Sequence, residues 1–120
     1  MKDLMKEIYI LEDDEGIREL VSVLLQLEGF KVSSFSSVEN FKHAIGESTP
    51  DLFLLDISLP DGDGRKVCRE LRGSNPTAHI PVVLMSANRI PGVTVGANDF
   101  IPKPFDVDEF LSRIKTQLAS

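Results

Sequence analysis

Short apolar segments recur along the chain, and most are followed by residues whose apolar positions repeat at helical spacing. Ile8–Leu11, Leu52–Leu55 and Val82–Met85 are apolar at consecutive positions, as expected of strands buried on both faces of a sheet. Phe30–Phe35 and Phe100–Ile101 add two weaker strand patterns. Strands that alternate with helices are typical of βαβ units, so the sequence predicts an α/β fold, a doubly wound parallel sheet of five strands.

The segments between the strands carry the periodicity of amphipathic helices. In Glu15–Gln26 the apolar residues fall at i, i+3, i+4, i+7 and i+8, and Gly29 follows the end of the pattern. Three further helices are predicted by their end signals: a cap at Ser36 or Ser37, a stop near Gly73, and a capping box of Asp106 and Glu109.

The composition narrows the class of protein. A chain of 120 residues, 42% apolar and 27% charged, fits one ordinary domain, and we expect one domain over 1–120 with an ordered core over 7–118. The single cysteine, Cys68, excludes an intramolecular disulfide and a cysteine-rich zinc site. A net charge of −6 disfavours direct nucleic-acid binding. The apolar runs are too short for a membrane span or a signal peptide, which favours a cytoplasmic location.

Acidic, hydroxyl and basic residues stand where the predicted strands end: Glu12, Asp13 and Asp14 after the first, Asp56 after the third, Ser86 after the fourth and Lys103 after the fifth. In a doubly wound sheet this edge is the ligand site. Carboxylates held close together repel each other unless they are protonated, paired or bound to a cation, and Mg²⁺ takes oxygen ligands of this kind. A hydroxyl and an ammonium beside the ion would complete a cradle for a phosphoryl group, which an aspartate can accept as an acyl phosphate.

Together these motifs resemble the receiver domain of bacterial two-component response regulators, over Ile8 to Leu118. The motifs are Glu12-Asp13, Asp56 with Pro60 and Gly64 downstream, Ser86-Ala87, and Lys103-Pro104-Phe105. Each is weak alone, but their order and their places after the strands make the resemblance specific. It implies a chemotaxis-regulator-like domain with the flavodoxin-like strand order 2-1-3-4-5.

The resemblance also implies a magnesium site and a phosphoacceptor. By that resemblance Asp56 would accept the phosphoryl group. Asp13 would bind Mg²⁺ directly and Glu12 would bind it through water. The main-chain carbonyl of Ser58 would be the third protein ligand, beside Asp13 and Asp56.

Further residues receive roles by the same resemblance. Lys103 would contact the phosphoryl oxygens, and Ser86 would hydrogen-bond to the phosphoryl group and so register phosphorylation. Ala87 would keep the approach to the acceptor open. Phe100 occupies the position of an aromatic switch residue, although a plain core role is equally open. The Lys103–Pro104 peptide bond would be cis.

The function so implied is a phosphorylation-switched signalling module rather than an enzyme with substrate turnover. A histidine kinase or histidine phosphotransfer protein would be the donor, and the output would pass to an effector protein or to an output domain outside the chain. A phosphorylation-independent, degenerate receiver that acts as an adaptor is the alternative. A haloacid-dehalogenase-type hydrolase is set aside, because Ser58 stands where its second aspartate is needed.

The segment between the fourth and fifth strands departs from the family pattern. Residues 87–102 separate Ser86 from Lys103, and about four of them are needed for the last strand, which leaves roughly twelve. A Pro-Gly pair interrupts the segment at Pro91, and the residues that follow are mediocre or poor helix formers. We therefore predict a loop, or at most one helical turn, over Asn88–Asn98, so that the fourth helix is shortened or missing.

Overall fold

The computed structural model describes residues 5–87 and 96–119. The described residues form strands and helices in alternation. In chain order these are β1 (Glu7–Leu11), α1 (Glu15–Leu27), β2 (Lys31–Phe35), α2 (Val38–Ile45), β3 (Leu52–Asp56), β4 (Ser58–Leu59), β5 (Gly62–Asp63), α3 (Gly64–Arg72), β6 (Val82–Ser86), β7 (Asp99–Pro102) and α4 (Val107–Leu118).

The main sheet is parallel and has five strands in the order β2-β1-β3-β6-β7. Counted along the chain within this sheet, the order is 2-1-3-4-5, which confirms the predicted fold. β4 and β5 form a separate two-stranded antiparallel hairpin directly after β3. The chain leaves β1 toward one edge and returns to β3 on the other side of it, so the strand order switches between β1 and β3. In such sheets ligands bind at the carboxyl ends of the strands beside this switch.

Two apolar layers cover the sheet, because alternate residues of each strand point to opposite faces. Ile8 and Ile10 of β1 pack with residues of α1 and α4, among them Leu25 and Phe110. The other face carries a cluster with residues of α2 and α3: Tyr9, Leu11, Val38, Phe41, Phe53, Leu55, Val67, Cys68 and Leu71. The central strands are therefore apolar over consecutive positions on both faces, with polar residues only at their ends, which explains the continuous runs in the sequence.

The helix ends follow the predicted signals closely. Asp14 caps α1 by accepting a hydrogen bond from the amide of Ile17, and Gly29, with φ of 93°, follows the helix end. Ser37 rather than Ser36 caps α2, and Asp106 caps α4 through the amide of Glu109. The ends of the helices thus satisfy backbone groups that have no partner within the helix.

The predicted loop Asn88–Asn98 falls mostly on residues 88–95, which lie outside the described residues. Gly96 and Asn98 belong to the described part and are not helical. The amide of Asn98 donates to the carbonyl of Val82, and the Asn98 side chain accepts from the Val82 amide. Asn98 therefore sets the start of β7 beside the start of β6.

Candidate functional site

Three carboxylates meet at the carboxyl ends of β1 and β3. Glu12, Asp13 and Asp56 each place an oxygen within 4.8 Å of the other two. Leu11 pairs with Leu55 across these parallel strands, so the residues that follow them, Glu12 and Asp56, come to the same edge. Glu12 and Asp56 are buried, with 0% and 4% of their surface exposed, whereas Asp13 is exposed. The cluster therefore has a buried floor and one side open to solvent.

Lys103 lies against the buried part of this cluster. Its Nζ is 2.9 Å from Oε1 of Glu12 and 3.4 Å from Oδ2 of Asp56. The main-chain amide of Lys103 donates to the carbonyl of Ser86, which fixes the end of β7 beside the end of β6. The peptide bond between Lys103 and Pro104 is cis, as the resemblance implies. The sheet thus brings the ammonium group of Lys103 to two carboxylates that come from distant parts of the chain.

Burial shapes the protonation of Glu12 and Lys103. Desolvation raises the pKa of Glu12 to about 7, although the hydrogen bonds from Lys103 and from the Asp14 amide oppose this, and the nearby charge of Asp56 adds to it. Burial alone would lower the pKa of Lys103, but its hydrogen bond to Glu12 and the charges of Glu12 and Asp56 raise it above its ordinary value. Lys103 is therefore charged at neutral pH, and Glu12 holds a proton more readily than an ordinary glutamate does.

The two predicted serines line one open cavity of about 450 Å³ at the carboxyl end of the sheet. Ser86 is the last residue of β6 and is buried, while Ser58 is exposed at the start of the β4–β5 hairpin. Met85 pairs with Asp56, so Ser86 lies one residue beyond the neighbour of Asp56 on the adjacent strand. Each predicted site residue therefore lies at this edge of the sheet. The distances between side-chain atoms place Glu12, Asp13, Asp56 and Lys103 together in one cluster.

Gly64 explains part of the Asp56 motif. A Cβ atom at this position would lie 2.1 Å from the carbonyl oxygen of Asp56, so only glycine fits without movement of the backbone. The Gly64 amide donates to the carbonyl of Ile57, which closes the hairpin back onto β3. The glycine thus allows α3 to begin directly against the strand that carries Asp56.

Arg18 is a residue at this site that the sequence did not single out. Its Nη1 donates to the main-chain carbonyls of Glu12 at 2.9 Å and Asp13 at 3.4 Å. The guanidinium thus holds the turn that carries both acids. The sequence signal is faint, since an arginine in the first turns of an amphipathic helix is ordinarily a solvated surface residue. Ala87 is exposed and Phe100 packs against the α2–α3 apolar cluster, and their implied roles stay predictions.

A doubly wound α/β domain with an acidic cluster and a lysine at its switch point defines a class of phosphoryl- or cation-binding domain. Comparison with known families identifies it further: the family described as the response regulator receiver domain matches residues 8–115. The chain belongs to this family and is a receiver domain of two-component response regulators.

Similar curated proteins support the assignment to this family. The chain is 37% identical to the transcriptional regulatory protein GltR of Pseudomonas aeruginosa over 94% of its length. It is 40% identical to the DNA-binding dual master transcriptional regulator RpaA of a Synechocystis strain over 95% of its length. The matched regions make up 49% of each relative, so the chain spans about half the length of these proteins.

Solved structures show the same fold. The beryllofluoride-activated DrrB receiver domain superposes with a TM-score of 0.86 at 30% identity and covers 98% of this chain and 100% of its own. The response regulator TrrA of Thermotoga maritima, in complex with Mg²⁺ and beryllofluoride, gives 0.86 at 27% identity, with 95% and 100% coverage. Within residues 5–87 and 96–119, no helix has the length and apolar character that crossing a membrane requires.

Proposed function

We propose that Asp56 accepts a phosphoryl group from a phosphohistidine of a histidine kinase or histidine phosphotransfer protein. The observation that carries this proposal is the cluster of Glu12, Asp13 and Asp56 with Lys103 against it, at the switch point of a receiver fold. Two of the three acids are buried, and within residues 5–87 and 96–119 the ammonium group of Lys103 is the one paired with them. The cluster therefore has an excess of negative charge that a cation would offset.

The donor set suits Mg²⁺ among the common cations. Its oxygens come from carboxylates, with no cysteine or histidine among them, and hard divalent ions bind such oxygens. Asp13, Asp56 and the main-chain carbonyl of Ser58 would hold the ion, with Glu12 acting through water. When bound, the ion would offset charge on the phosphoryl oxygens.

The transfer is a displacement at phosphorus. A carboxylate oxygen of Asp56 attacks in line with the bond from phosphorus to the donor's histidine nitrogen. That bond breaks, its electron pair returns to the imidazole, and an acyl phosphate forms on Asp56. Lys103, already 3.4 Å from Oδ2 of Asp56, offsets charge on the phosphoryl oxygens, and the Ser86 hydroxyl donates a hydrogen bond to one of them. Water later hydrolyses the acyl phosphate, so the signal decays without a separate phosphatase.

A magnesium titration tests the metal site. The chain has no tryptophan to give a fluorescence signal, so amide NMR shifts are used to monitor binding. Beryllofluoride should perturb the spectrum only when Mg²⁺ is present. Asp13→Asn removes a direct ligand, and Glu12→Gln removes a contact made through water. We expect Glu12→Gln to weaken Mg²⁺ binding about 10-fold and Asp13→Asn to weaken it clearly more. Equal losses would contradict the assigned roles, and a wild-type domain without any beryllofluoride response would favour the degenerate adaptor.

An apolar surface beside the site suits the phosphohistidine donor. Ile17 and Leu20 of α1 form a groove of about 190 Å³ with the segment Lys103–Phe105, and nearly all of its lining is apolar. The apolar surface continues along α1 through Val23 and Leu27, which are 46% and 77% exposed. A donor that brings its phosphorus to Asp56 must cover the rim next to Lys103. We therefore place donor docking on this α1 surface.

Leu20→Asp tests the docking surface. Leu20 is 49% exposed, so the substitution should leave the fold intact, but it places a charge in the apolar contact. Transfer from the cognate phosphodonor protein should slow by about 10-fold or more, since burying an unpaired charge at an interface costs over 1.4 kcal/mol. Phosphorylation by a small acyl phosphate should be unchanged, because that donor needs no docking. Equal rates with the protein donor would place docking on another face.

We also propose that any DNA contact of the whole protein lies outside residues 1–120. The relatives GltR and RpaA carry names of transcriptional regulators, and each is about twice as long as the matched region. This chain has 13 basic against 19 acidic residues, which disfavours binding to phosphate backbones. Phosphorylation would therefore act through a further domain or through a separate effector protein.

A further inference from the structure

The turn of the β4–β5 hairpin, which follows Asp56, is hydrogen-bonded to the first residues of α2. Ser58 pairs with Asp63 and Leu59 pairs with Gly62, so Pro60 and Asp61 are the two turn residues. The Asp61 carboxylate accepts a hydrogen bond from the Val38 amide at 2.9 Å and another from the Glu39 amide at 3.2 Å. These are the first two residues of α2, which lie more than twenty positions earlier in the chain.

Packing reinforces this connection. A Cβ atom at Gly62 would lie 3.0 Å from Cγ2 of Val38, so the turn rests directly against the first residue of α2. The same helix has its own cap, because Ser37 accepts from the amide of Asn40 at 3.3 Å. The amide groups at the start of α2 are thus divided between a local cap and a carboxylate on the hairpin.

The base of the hairpin is fixed separately. The amide of Ile57 donates to the carbonyl of Met85 at 3.0 Å, and the amide of Gly64 donates to the carbonyl of Ile57 at 2.9 Å. Ser58 lies between this fixed base and the turn that Asp61 holds. Its backbone is therefore positioned from both directions, by the sheet and by α2.

Asp61 stays ionised while it makes these contacts. The hydrogen bond from the Val38 amide, followed by that from Glu39, lowers the pKa of Asp61 below its ordinary value despite some desolvation. A carboxylate at a helix N-terminus also interacts favourably with the helix dipole. The connection between the hairpin and α2 therefore persists throughout the neutral range of pH.

We infer that Asp61 is a positioning residue of the magnesium site, acting through the hairpin on the Ser58 carbonyl. The inference rests on the proposed function, in which that carbonyl is a metal ligand. Mg²⁺ requires ligands close to octahedral geometry, so a carbonyl that is already in place avoids the cost of ordering a loop when the ion binds. Because coupling between two sites is reciprocal, Mg²⁺ binding also strengthens the hydrogen bonds from Asp61 to the first turn of α2.

Magnesium titrations of four variants test this coupling. Asp61→Ala should raise the Kd for Mg²⁺ about 10-fold, in the range seen when groups behind the direct ligands are removed. Ser37→Ala is the matched control, since it removes the other cap of the same helix and leaves the hairpin untouched. Glu39→Gln controls for the loss of one negative charge nearby. Both controls should bind Mg²⁺ as the wild type does, and Asp61→Asn, which keeps one acceptor oxygen, should lie between wild type and Asp61→Ala.

Hydrogen exchange supplies a readout that a purely structural cap would not change. Saturating Mg²⁺ should slow exchange of the Val38 and Glu39 amides in the wild type and in Ser37→Ala, but not in Asp61→Ala. If Asp61→Ala and Ser37→Ala lose stability alike and both keep wild-type Mg²⁺ affinity, Asp61 is only a helix cap and the inference is wrong. If Asp13→Asn also keeps that affinity, the proposed metal site itself fails, and the inference fails with it.

Discussion

Asp56→Asn should abolish the mass increase of one phosphoryl group that we expect the wild-type domain to show with a small acyl phosphate and Mg²⁺. The substitution keeps the size of the side chain and its place at the end of β3, so it removes the nucleophile without creating a cavity. An amide oxygen is a poor nucleophile and does not form a stable acyl phosphate. The expected result is complete loss of the product, measured by intact-protein mass spectrometry at neutral pH.

The chain offers a matched control for this experiment. Asp51 precedes the same strand at its opposite end, is exposed, and accepts a hydrogen bond from the Glu7 amide at 2.7 Å. Asp51→Asn makes the same chemical change away from the cluster and should leave phosphorylation unchanged. A mass increase that persists in Asp56→Asn would mean that another residue is the acceptor, and proteolytic mapping of the modified peptide would locate it.

The sequence predicts the fold and the location of the site because both depend on local patterns. Consecutive apolar residues mark strands that are buried on both faces, and the residue after such a strand must lie at the carboxyl edge of the sheet. This logic brings Glu12 and Asp56 together before any distance is known. The resemblance adds the roles and the strand order, which periodicity alone does not supply.

Contacts between distant positions are what the sequence could not predict. Lys103 lies 91 positions from Glu12, and its ammonium is nearer to that residue, at 2.9 Å, than to Asp56, at 3.4 Å. The pKa of Glu12 depends on complete burial, which is a property of the packed fold. Asp61 accepts hydrogen bonds from main-chain amides. Almost every residue carries such an amide, so no sequence pattern could reveal these partners.

The pH dependence of stability provides a second large effect, centred on Glu12. In the unfolded chain its pKa is near 4.5, whereas burial raises the pKa in the folded domain to about 7. Between these values the folded domain holds a proton that the unfolded chain has released. The contribution of Glu12 to stability is therefore full below pH 4.5 and is lost as the pH rises through 7. The raised pKa of Lys103 does not affect this window, because its contribution is lost only above its ordinary value of 10.5.

Glu12→Gln should remove this dependence, since glutamine fills the same space without a charge to bury. In the absence of metal, we expect the free energy of unfolding of the variant to exceed that of the wild type by about 3 kcal/mol at pH 8 and to match it near pH 4.5. Urea denaturation with a chelator, at several pH values between 4.5 and 8, measures the difference between the two proteins. Groups elsewhere in the chain titrate alike in both proteins, so their contribution cancels when the two free energies of unfolding are subtracted.

Mg²⁺ should narrow the difference in stability between the two proteins at pH 8, by up to about 1.4 kcal/mol for a 10-fold difference in Kd. The ion binds the cluster in its ionised form, so it stabilises the wild type most where Glu12 has lost its proton, and it stabilises Glu12→Gln less. If wild type and Glu12→Gln instead show the same slope with pH in the chelator, the pKa of Glu12 in the metal-free fold lies near its unfolded value, and Glu12 is ionised at neutral pH. The ion pair with Lys103 would then offset the desolvation of the carboxylate, and the metal-free site would already hold its charges in the arrangement that receives the ion.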